Sequence, residues 1–102
     1  MNLTDTLVWL VDTPSELGEE EALCTALIQR LAGRYDGDSL VRIGNSVVVG
    51  KPTGKPMILL VGHIDTVPSQ GQPAAFERDG LLYGLGTADM KAGVAVMLHL
   101  LE

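Results

Sequence analysis

The chain has 102 residues, enough for one small domain, and seven basic side chains against thirteen acidic ones give a formal charge of −6. No basic cluster offsets that charge, so nucleic acid and anionic membrane are excluded as partners while a cation is attracted. Cys24 is the only cysteine, no apolar run approaches the ~20 residues that span a bilayer, and Met1-Asn2-Leu3-Thr4-Asp5 lacks the pattern of a signal peptide; a soluble, cytoplasmic protein is expected.

Leu3, Leu7, Leu10 and Val11 recur at helical spacing and predict a short first helix, capped by Asn2 or Thr4 and ended by Thr13-Pro14. The triplet Glu19-Glu20-Glu21 complements the positive end of a second helix, along which Ala22, Leu23, Ala26, Leu27 and Leu31 form one apolar stripe. Arg30 lies near its end and Gly33 just beyond. Cys24 reads as a small buried hydrophobe on that helix. The runs Leu40 to Ile43 and Val47 to Val49, separated by Gly44-Asn45-Ser46, predict a hairpin with a three-residue loop. A loop rich in Pro and Gly follows, without the residue order of a phosphate cradle.

Met57 to Val61 is continuously apolar and reads as a third strand, central in a sheet covered on both faces. It runs directly into Gly62-His63-Ile64-Asp65-Thr66-Val67-Pro68. Residues two apart in an extended backbone project to one side, so His63 and Asp65 can converge where a strand leaves its sheet. Phe76 to Tyr83 predicts a second hairpin turning at Asp79-Gly80, and a last helix begins near Met90 with Val94, Met97, Leu98 and Leu101 on one side. His99, on that helix, reads as a core-edge or solvent-facing residue.

The segment Gly84-x-Gly86-x-x-Asp89 has two glycines of a dinucleotide fingerprint, but Asp89 would set a negative charge against a pyrophosphate, and the segment follows a hairpin instead of a first strand. A carboxylate at a helix start can instead hold cations, and two carboxylate oxygens can bridge a pair about 3.5–4 Å apart. On that reading His63 is a metal ligand, Asp65 orients its ring, and Asp89 is a second ligand. The bland alternative makes His63 a strand cap and Asp89 a helix cap.

His63-Ile64-Asp65-Thr66-Val67-Pro68 followed by Gly84-x-Gly86-x-x-Asp89-x-Lys91-x-Gly93 resembles the paired signatures of the M20 metallopeptidase and deacylase family. Within it the general likeness is greatest to the succinyl-diaminopimelate desuccinylases. The resemblance implies an α/β fold, a mixed β-sheet with helices on both faces, and two Zn2+ ions per complete site, with Co2+ as a substitute. It implies that His63 binds one metal, that Asp89 bridges both, that Asp65 is the catalytic aspartate, and that the Asp89-Met90 peptide is cis. Lys91 and Gly93 match the motif as structural residues. The implied reaction is hydrolysis of a small N-acyl amino acid, first of all N-succinyl-L,L-diaminopimelate in lysine biosynthesis, by a protein that forms a homodimer.

The general-base Glu of a downstream Glu-Glu pair, the remaining ligands and the dimerisation or lid domain have no counterpart in these residues. Residues 1–102 therefore read as the N-terminal portion of an M20-type catalytic domain, inactive alone. The rival readings are another N-acyl-amino-acid deacylase or carboxypeptidase, and a non-catalytic remnant that binds one metal or docks on a partner. A mean hydropathy of +0.24 predicts poor solubility for the isolated chain.

Overall fold

A computed structural model describes residues 1–102, and it begins with helix α1, Leu3–Val11. Of the two candidate caps, Asn2 is the one used: its side chain accepts from the Asp5 amide at 2.8 Å, and the Asp5 carboxylate accepts from the Asn2 amide at 3.2 Å. The helix stops at Asp12, ahead of Pro14, and buries Thr6, Leu10 and Val11. Helix α2, Glu21–Leu31, has no side-chain cap and relies on Glu21 in its first turn and Arg30 in its last. Of its predicted stripe Leu23, Leu27 and Leu31 are buried, together with Cys24, while Ala26 is partly buried and Ala22 is exposed.

Strands β1, Leu40–Ile43, and β2, Ser46–Val49, pair antiparallel with Ile43 opposite Ser46. The loop is thus two residues, Gly44-Asn45, one shorter than the sequence predicts, because Ser46 joins the ladder. Gly44 has φ +60°, suited to the first position of a tight hairpin turn. A second hairpin joins β3, Phe76–Arg78, to β4, Leu81–Tyr83, through Asp79-Gly80, both at positive φ. Phe76 and Tyr83 stack across it with ring centroids 5.1 Å apart. Helix α3, Ala92–Leu101, closes the chain and buries Val94, Ala95 and Leu98. These three pack with Leu10, Leu23, Leu27 and Leu31 into a single core between the three helices.

The α/β class is as expected, with one difference in the sheet. Met57 to Val61 pairs with nothing: Ile58 is 89% exposed, Leu59 78% and Val61 77%. The strands therefore form two separate antiparallel hairpins in place of one mixed sheet. The physical reason is a gap. A groove of about 430 Å3 is lined by Val47 and Val49 of β2, by Gly62 and Ile64, and by Val94 and Leu98 of α3. With that space open, the apolar segment has no ladder partner within reach.

Candidate metal centre

The segment after Val61 is held by the chain that follows α1. Thr66 donates its amide to the Ser15 carbonyl at 2.9 Å and accepts from the Leu17 amide at 3.0 Å, a short parallel bridge between Glu16 and Thr66. The Ser15 hydroxyl donates to the Ile64 carbonyl, and the Ser69 amide donates to the Glu16 carboxylate at 2.7 Å. On the other side Gly62 lies against Met90 so closely that a Cβ there would sit 2.6 Å from the Met90 methyl. A side chain there would displace the flexible end of Met90.

Asp89 arrives from the turn Thr87–Lys91, which is helical except at Asp89 and Met90. The Asp89-Met90 peptide is cis. Gly86 enters the turn at φ +83°, and a Cβ on it would meet the Thr66 methyl at 2.6 Å, so this glycine lets the turn rest on the His63 segment. Behind the turn Lys91 is 2% exposed. Its ammonium donates to the carbonyls of Leu10 at 2.8 Å and Thr13 at 3.0 Å, at the C-terminal end of α1. Burial pushes this group down to about 8, with Asp12 opposing the shift.

These supports bring His63, Asp65 and Asp89 together. His63 Nε2 lies 2.9 Å from Asp89 Oδ1. Its Nδ1 faces Asp65, 3.1 Å from the backbone carbonyl and 3.2 Å from Oδ1. The orienting contact from Asp65 thus comes first from its carbonyl, with the carboxylate at ion-pair distance. The hydrogen bond to Asp89, aided by the Asp65 carbonyl and charge, holds the imidazole above its usual pKa. The three residues line a cleft of about 530 Å3 that also presents Phe76 and Tyr83.

The donor atoms fit a cation. With Nδ1 turned to Asp65, Nε2 is the nitrogen left to face outward, and it points at a carboxylate whose side chain is 87% exposed. A tetrahedral ion with bonds near 2.1 Å sets two donors roughly 3.4 Å apart, so the pair needs to open by only about half an ångström. The set is partial, because no group of three or more His, Cys, Asp or Glu side chains able to hold a metal is present.

Residues 59–102 match the profile of peptidase family M20/M25/M40, and this stretch contains both His63 and Asp89. A succinyl-diaminopimelate desuccinylase of Corynebacterium glutamicum is 38% identical over 92 residues, covering 88% of this chain. The chain belongs to the M20/M25/M40 peptidase family. A second relative, the succinyl-diaminopimelate desuccinylase of Xanthomonas euvesicatoria, is 35% identical over 95 residues, 84% of this chain. A LysW-lysine hydrolase of Deinococcus radiodurans is 33% identical over 88 residues, 86% of this chain. The chain spans about a quarter of the length of these relatives, covering 25%, 24% and 24% of them respectively. No solved structure matches it significantly.

The sequence points to all three residues that meet here. It marks Lys91 as structural without revealing its partners, because the two carbonyls that receive it lie 81 and 78 residues earlier. The only signal was a lysine inside an otherwise apolar helix start.

Proposed function

We propose that this chain is the N-terminal part of a catalytic domain that hydrolyses a small N-acyl amino acid, N-succinyl-L,L-diaminopimelate first, with His63 and Asp89 as metal ligands. The observation that carries this is the meeting of His63 Nε2 and Asp89 Oδ1 at 2.9 Å with Asp65 behind the other ring nitrogen. A bound Zn2+ would supply electrophilic polarisation of the acyl carbonyl and a water acidic enough to act near neutral pH. Asp65 fixes the ring tautomer so that Nε2 faces the cleft. Asp89 adds negative charge at the same point, and Phe76 with Tyr83 gives the cleft an apolar wall.

Further polypeptide supplies the rest of the site on this reading. The open groove beside β2 and the uncovered ribbon from Met57 to Val61 support it, since both have the character of an interior surface. A second reading, hydrolysis of a LysW-linked lysine, is favoured by the LysW-lysine hydrolase relative.

The test is a chimera in which residues 1–102 replace the matching segment of the Corynebacterium glutamicum desuccinylase. Succinyl release abolished by His63→Ala and by Asp89→Ala supports the proposal. Turnover that survives either change rejects it. Release from LysW-linked lysine, without release from the succinyl substrate, would favour the second reading.

A further inference from the structure

We infer that Lys91 is a positioning residue for the metal centre: its ammonium ties the turn carrying Asp89 to the C-terminal end of α1 and so sets where Asp89 stands relative to His63. This rests on the reading of His63 and Asp89 as ligands.

The last carbonyls of a helix lack intrahelical donors, and a cation is the favourable partner for them. Lys91 serves α1 in this way from inside the protein, with Nζ 2.8 Å from the Leu10 carbonyl and 3.0 Å from that of Thr13. A hydrogen-bonded lysine that is 2% exposed is costly to remove, because both carbonyls lose a charged donor together. Two neighbouring segments also meet the end of α1. A Cβ on Gly84 would lie 2.4 Å from Val11, and the Ala75 amide donates to Asp12 at 2.8 Å. Lys91 and the Gly84 segment that leads into the turn therefore both rest on the end of α1. Between Gly86 and α3 the backbone leaves helical geometry at Asp89 and Met90, so these two residues have little of the regular ladder to fix them. Among the points that hold the turn are the Lys91 amide, bonded to the Gly86 carbonyl at 2.8 Å, the Ala92 amide, bonded to the Thr87 carbonyl, and the Lys91 ammonium.

The role separates from simple structural support in a double-mutant cycle, because a residue that acts through Asp89 loses its effect once Asp89 no longer contributes. The experiment titrates the 102-residue chain with ZnCl2, reads the ring 15N shifts of His63, and compares wild type, Lys91→Met, Asp89→Asn and the double variant. Tenfold or greater weakening by each single change, with the double variant no weaker than Asp89→Asn, is the expected result. Lys91→Arg, which keeps a charged donor, recovers most of the affinity. Weakening by Lys91→Met that persists in full on top of Asp89→Asn overturns the inference, as does a Lys91→Met chain that binds like wild type; in both cases the metal reading stands. An Asp89→Asn chain that binds zinc like wild type overturns the metal reading and this inference with it. Should Lys91→Met fail to fold, Lys91→Gln, which keeps a donor for one carbonyl, is judged by the same rule.

Discussion

Arg30 donates to both carboxylate oxygens of Glu102, at 2.9 and 2.8 Å, stacks over Trp9 at 4.9 Å, and reaches the buried Thr6 hydroxyl at 2.9 Å. The Arg30 hydrogen bonds hold the Glu102 carboxyl below its usual range. A depressed carboxylate pKa contributes stability that is fully present above the unfolded value and lost as pH falls through the folded one. Between pH 6 and pH 3 the wild type should therefore lose more stability than Glu102→Gln. The difference in urea-derived free energy should be about 1 kcal/mol or less, since the pair is partly solvated. At this scale His63, Asp65 and Asp89 were legible in the sequence, because period-two spacing and glycine spacing are local properties. The Thr6 hydroxyl contact with His99 at 2.8 Å was not, since 93 residues separate the partners.

Among the elements, the three helices and both hairpins were legible because each carries its own signal: an apolar stripe, a cap, or a turn dipeptide. The hairpin at Asp79-Gly80 formed where its turn chemistry placed it. Met57 to Val61 was misread for a physical reason. An apolar run records the burial a segment is suited to, and a strand exists only when a second backbone completes its ladder. The helices depend on a small core, so one large deletion in it weighs heavily. Leu27, 5% exposed at the centre of that core, should cost about 2–5 kcal/mol on change to Ala. Chemical denaturation followed by far-UV circular dichroism measures it, and a loss under 1 kcal/mol would show that α2 is not held by this packing.

For the whole molecule, the uncovered ribbon from Met57 to Val61 and the open groove that begins at Gly62 leave the chain with a large exposed apolar area. Such an area associates in water. Sedimentation should show self-association that rises with concentration and is strongly reduced by Ile58→Lys with Leu59→Lys. A sharp monomer at all concentrations would contradict this. The exposed face and the partial ligand set both support the proposal that the chain carries one side of a two-sided site.

The most direct test of that central claim is a ZnCl2 titration of the chain followed by the two ring nitrogens of His63. Nε2 should take the metal while Nδ1 keeps its proton toward Asp65, and His63→Ala should remove the binding. Zinc held through Nδ1, or bound equally well by His63→Ala, would contradict it.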